Sequence, residues 1–102
     1  MLTGKQRSYL RGLANGLDAA VYIGKSGLTD QTIREMDNYI SAHELLKVKL
    51  QEGAELDPKV VANDAAEALH AEFVQAIGRK FVLYRRAREP EKRQIVLPRA
   101  DK

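Results

Sequence analysis

The chain has 102 residues, 44% of them apolar and 30% charged, with three prolines and seven glycines, a composition that fits one soluble globular domain and excludes both a disordered chain and two full domains. It has no cysteine, so a disulfide framework and a thiolate metal site are excluded and a reducing, cytoplasmic setting is expected. The net charge is +3, but between residues 78 and 102 nine basic residues face three acidic ones, a local +6 that leaves −3 for residues 1–77; such asymmetry points to a polyanionic partner.

The N-terminal stretch MLTGKQRSYLRGLANG lacks the apolar run of a signal peptide, and no stretch long enough to span a membrane occurs in the sequence. Within it, Thr3 as N-cap with Gln6 three residues on has the spacing of a capping box, and Leu10, Leu13, Ala14 and Leu17 share one helical stripe. A helix over 4–14 is predicted, closed by Asn15 and Gly16. The short apolar AAVYIG follows as a buried strand over 20–23. Thr29 then caps a second helix beginning at Asp30 and reaching residue 42, with Leu28 and Ile33 as a hydrophobic staple.

In ELLKVKLQEG, Leu46, Val48 and Leu50 alternate with Lys47 and Lys49, the period-two pattern of a half-buried strand. LDPKVV announces a third helix with Asp57 as cap and Pro58 in its first turn; Val61, Ala65, Leu69, Phe73, Ala76 and Ile77 continue one apolar side until Gly78. FVLYRR is predicted as strand three and QIVLPR as strand four, joined by AREPEKR, with Pro98 at an edge or an end. The expected fold is a single compact α/β domain in the order α-β-α-β-α-β-β, with a small mixed four-stranded sheet packed by helices. The first strands should run parallel and the last two antiparallel.

No catalytic constellation emerges. His43 and His70 have no ligand-spaced partners, there is no nucleophile elbow, and Asp64, Glu67 and Glu72 read as a solvated helix face. Neither an enzyme nor a metal or cofactor site is expected. The segment GKSG, residues 24–27, has the ending of a Walker A loop, but the glycine required five positions earlier is Ala19. A glycine-bracketed loop between a strand and a helix start can still hold phosphate. It exposes backbone amides, allows close approach, and adds the positive end of the helix dipole. Gly24 and Gly27 would shape such a loop, with Lys25 adding a charge and Ser26 a hydroxyl. This GxxG arrangement is the one KH modules use to clamp a nucleic-acid backbone.

Taken together and in order, TGKQRSYLRGLA, VYIGKSGLT, HELLKVKL and QAIGRKFVLYR resemble the CRM domain (chloroplast RNA splicing and ribosome maturation) in its single-domain bacterial YhbY-type form. The likeness runs from about Leu2 to Arg86, and the segment over 87–102 departs from it. The resemblance implies one CRM-type RNA-binding domain over 1–102, with a fold like the C-terminal domain of a bacterial translation initiation factor. It also implies a GxxG loop facing RNA and a link to precursors of the large ribosomal subunit. By position the RNA-facing loop is Gly24, Lys25, Ser26 and Gly27.

Lys47 and Lys49 on the strand's polar side, Arg79 and Lys80 after the predicted helix end, and Arg85 and Arg86 past the apolar part of strand three are further candidates for phosphate contact. Tyr22 and Tyr84 could stack on bases or pack inside. These groups address the RNA backbone, so shape should select the target more than sequence. The expectation is a non-catalytic protein that binds structured ribosomal RNA during large-subunit assembly. The second reading is a protein adaptor whose basic face meets an acidic partner and in which GKSG is only a turn.

Overall fold

The computed structural model describes residues 2–99, so Asp101 and Lys102 of the charge tally lie outside the described residues. The elements are α1 (Gly4–Ala14), β1 (Val21–Ile23), α2 (Asp30–His43), β2 (Leu45–Leu50), α3 (Pro58–Leu69), β3 (Glu72–Ile77), β4 (Lys80–Tyr84) and a short 3-10 turn at Pro90–Lys92. Each helix begins where its cap dictates. Thr3 Oγ1 accepts the Gln6 amide at 3.1 Å while Gln6 Oε1 accepts the Thr3 amide at 3.1 Å, a complete capping box. Thr29 Oγ1 accepts the Thr32 amide at 3.1 Å, and Asp57 Oδ1 the Lys59 amide at 2.9 Å with Pro58 beside it.

The strands form one mixed sheet in the order β1-β2-β4-β3, with β1 parallel to β2 and the other pairs antiparallel. Side-chain alternation gives the sheet two unlike faces. On one, Val21, Ile23, Leu46, Val48, Leu50, Phe81 and Leu83 meet Met36 and Ile40 of α2 and Val61, Ala62, Ala65 and Leu69 of α3 in the main core. On the other, Leu45, Val74, Val82 and Tyr84 are covered by Leu2, Leu10 and Ala14, with Ile95 and Leu97 packed alongside. The helix stripe predicted for α1 is thus narrower than its spacing suggests: Leu13 and Leu17 remain exposed. None of the described helices is long and apolar enough to cross a membrane.

The predicted letter order stands, and FVLYRR supplies a strand, but it is the last strand of the chain, and the strand before it comes from residues expected to be helical. α3 stops at Leu69 because His70 turns left-handed (φ 55°, ψ 43°), and the following amide of Ala71 returns to the Ala66 carbonyl at 2.8 Å. Residues 72–77, predicted as the end of the helix, are β3. Its partner β4 runs over 80–84 rather than 81–86, and Ile77 pairs with Lys80 across the two-residue turn Gly78-Arg79. Positive φ at Gly78 alone (60°) is the pattern of a type II′ hairpin, which suits the twist of antiparallel strands. A register shift between Phe73 and Gln75 puts Gln75 rather than Val74 opposite Val82, and Val74 packs on the α1-side core.

QIVLPR is not a strand. Ile95 and Leu97 pack on the α1-side core with Val96 exposed between them, but no ladder takes the segment's amides. Those of Gln94 and Ile95 instead donate to Glu44 Oε1 at 2.7 and 3.0 Å, while Ala87 N donates to Glu44 Oε2 at 2.8 Å. Glu44 is fully buried at the end of α2, with φ at 69°. Burial opposes its ionisation. The three amides and the nearby Arg93 outweigh that cost and hold its carboxyl below the usual carboxylate range.

Candidate nucleic-acid interface

GKSG joins the end of β1 to the start of α2. The Gly27 amide donates to the Gly24 carbonyl at 3.0 Å, closing a turn in which only Gly27 needs positive φ (70°). At Gly24 a Cβ would stand 3.0 Å from Oε1 of the exposed Gln51 side chain, so the loop packs closely there but a swing of that side chain would make room. Lys25 and Ser26 occupy the exposed centre of the turn. Among the described residues no protein acceptor takes the amides of Lys25, Ser26 or Leu28. The staple works as the spacing implies, since Leu28 and Ile33 both pack on the main core and fix the direction in which the chain enters α2. Asp30 in the first helical turn partly offsets the positive helix end.

A second loop, which sequence reasoning passed over, supports the first. The Gln51 amide donates to the Ile23 carbonyl at 2.8 Å, and the Lys25 side chain lies beside Gly53, its Cε 3.7 Å from where a Cβ would be. Arg79, at the tip of the β3–β4 hairpin, fastens this loop with bonds of 2.7 Å to the carbonyls of Gln51 and Ala54 and a longer one to Leu50. The hairpin tip, the 51–54 loop and GKSG therefore meet at one end of the sheet. Only the run Q-E-G after an alternating strand hinted at it.

The other candidates separate into two groups. Lys49 and Lys80 are register partners on β2 and β4 at the GKSG end. Lys47, two residues before Lys49, is turned to α1 instead: its Nζ donates to the carbonyls of Ala14 at 3.1 Å and Leu17 at 3.0 Å and so closes that helix end. Arg85 and Arg86 lie past Tyr84, at the opposite end of β4. Arg85 is committed internally, donating to Asp37 Oδ1 at 2.8 Å, Ser41 Oγ at 2.7 Å and the Leu69 carbonyl at 2.8 Å. Arg86 is exposed. The two tyrosines also divide: Tyr84 is 5% exposed and belongs to the α1-side core, whereas Tyr22 is 53% exposed. Burial, with the charge of Glu44, pushes the Tyr84 phenol up.

Among the described residues, no group of three or more histidine, aspartate or glutamate side chains is gathered as a metal ion would require. Comparison with known proteins adds the decisive observation: residues 2–85 match the model of the CRS1/YhbY (CRM) domain. The chain belongs to the CRM domain family. It is 37% identical over 98 residues to the Probable RNA-binding protein YqeI of Bacillus subtilis, covering 96% of this chain and 100% of that one. With an RNA-binding protein of Haemophilus influenzae it shares 39% over 99 residues, 96% of each chain. The solution structure of the hypothetical protein SAV1595 from Staphylococcus aureus superposes with a TM-score of 0.79 at 39% identity, covering 96% of this chain and 100% of that one. The matches extend over 96–100% of the length of these three relatives.

Proposed function

We propose that the protein is a non-catalytic, cytoplasmic RNA-binding protein that grips structured ribosomal RNA through its GKSG loop and the basic surface around it, and that it assists assembly of the large ribosomal subunit. One observation carries this reading. At the start of α2, exposed Lys25 and Ser26 stand among backbone amides that no protein group accepts, in a chain whose CRM relatives are named for RNA binding. Backbone amides, a lysine and a helix start together favour an anion with a phosphate's geometry. Lys49 and Lys80 extend the positive surface on the adjoining sheet. Arg79 acts one step back by holding the 51–54 loop that GKSG leans on.

The test replaces Lys25 and Ser26 by aspartate. Folding is expected to survive, because acid near a helix start suits the dipole and the cap Thr29 stays in place. RNA affinity is expected to fall at least tenfold, about 1.4 kcal/mol, beyond the loss in a control with Lys5→Asp and Ser8→Asp. Those exposed α1 positions change the net charge equally, far from the loop. Equal losses in titrations at one salt concentration would reduce GKSG to a connector. In cells, crosslinking should recover precursor RNA of the large subunit; recovery of proteins alone would overturn the assembly reading.

A further inference from the structure

Beside the GKSG loop the sheet carries a row that no helix covers. The register places Tyr22 of β1 opposite Lys49 of β2, Lys49 opposite Lys80 of β4, and Lys80 opposite Ile77 of β3. Direct partners point to the same side, so all four side chains emerge on the face that α1 covers elsewhere. That cover ends one row earlier, where Lys47 bonds the carbonyls of Ala14, the last residue of α1, and of Leu17 just beyond it. Tyr22 is 53% and Ile77 68% exposed, and the row lines a shallow depression rimmed by Gln51 and Glu52.

The centre of this row is electrostatically unfavourable as it stands. Like charges directly opposite across an antiparallel pair repel, and among the described residues neither lysine has an ion-pair or hydrogen-bond partner, Glu52 included. An apolar group flanks the pair on each side, over a width of about 14 Å given strand spacings of ~4.8 Å. Two cations between two apolar surfaces match a phosphate between two bases.

We infer, on the basis of the RNA-binding reading above, that this row takes a short stretch of unpaired RNA, with a phosphate over Lys49 and Lys80 and the flanking bases against Tyr22 and Ile77. A duplex keeps its bases stacked within the helix and cannot offer them to the sheet, so the row distinguishes unpaired from paired RNA. It does so with little preference for sequence, because every base has a face to stack. GKSG and the row would then grip one RNA where a paired segment opens into an unpaired one.

The experiment titrates wild-type protein, Tyr22→Ala and Tyr22→Phe with single-stranded oligouridylate and with a perfect RNA duplex of equal phosphate number. Tyr22→Ala should weaken oligouridylate between about 5-fold and 150-fold, the worth of one base stacked on an aromatic ring. Tyr22→Phe should keep it, and duplex affinity should stay within about twofold in both. Lys80→Gln should flatten the log-log salt dependence for oligouridylate by about 0.7. Thermal unfolding should be unchanged, since Tyr22 is outside both cores. An unchanged oligouridylate affinity in Tyr22→Ala, or an equal loss for both RNAs, overturns the inference and leaves the row to a protein partner. If the wild-type protein binds neither RNA, the RNA-binding reading falls and this inference with it.

Discussion

At the GKSG end of the sheet, Lys25, Lys49 and Lys80 carry ammonium groups that no described residue engages. At the other end, Arg85 and Arg93 commit their guanidinium groups to Asp37, Ser41 and the carbonyls of Leu69, Ala87 and Arg88. The C-terminal quarter, richest in positive charge, thus holds several cations that serve as internal fasteners. A tally of charge along the sequence counts both kinds alike, although a guanidinium must surrender its carbonyls before it can meet a phosphate. On the proposed reading, what separates a binding surface from a scaffold is the fate of each donor.

The sharpest way to test this division is to damage the scaffold end. Glu44→Ala should cost about 3 kcal/mol in denaturant unfolding, because it strands three amides that now share one buried carboxylate. The RNA affinity of the folded protein should be unaffected. Arg85→Ala should cost about 2 kcal/mol through its lost bonds to α2 and α3, again with RNA affinity kept within about twofold. If it weakens RNA binding as much as the aspartate pair at Lys25 and Ser26, the two ends do not differ in kind.

Acid sharpens the same contrast. The folded Glu44 carboxyl sits below its ordinary value, so its contribution is whole above the unfolded value of about 4.3 and is lost as pH falls through the lower folded value. Below about pH 4.3, amide exchange at Ala87, Gln94 and Ile95 should accelerate ahead of exchange in α2, in wild type but not in Glu44→Ala. Uniform acceleration would show that Glu44 is not the local fastener. The smallest expected effect is at Asp30→Asn. Removing a carboxylate beside the loop should raise RNA affinity about twofold and lower helix stability by about 0.5 kcal/mol; unchanged affinity would put the phosphate away from the helix start.

The sequence was most readable where structure is decided locally. Thr3 with Gln6, Thr29 with Leu28 and Ile33, and Asp57 with Pro58 each mark a helix start through neighbours within a few positions, and GKSG lies between two such signals. Legibility failed after Leu69. Phe73, Ala76 and Ile77 continue a helical stripe in sequence, nothing in His70 itself announces a left-handed residue, and Gly78-Arg79 suits a helix stop as well as the two-residue hairpin turn it forms. QIVLPR has the composition of a strand, and Ile95 and Leu97 do pack on the α1-side core. That composition could not show that amides suited to a ladder are taken by a carboxylate some fifty residues away. The same distance hid the internal roles of Lys47, Arg79 and Arg85. Their acceptors are mostly backbone carbonyls, which every sequence offers everywhere, so only the fold says which are in reach.

Glu44 also imposes an order on how the molecule is made. A chain emerges from its N-terminus onward at roughly 5–20 residues per second, so the sheet, all three helices and the Glu44 carboxylate are available before the amides of Ala87, Gln94 and Ile95 that satisfy it. Until those residues arrive, the α1-side core lacks Ile95 and Leu97 as well. Residues 87–97 both satisfy the carboxylate and cover the rest of the α1-side core, so the two are completed together.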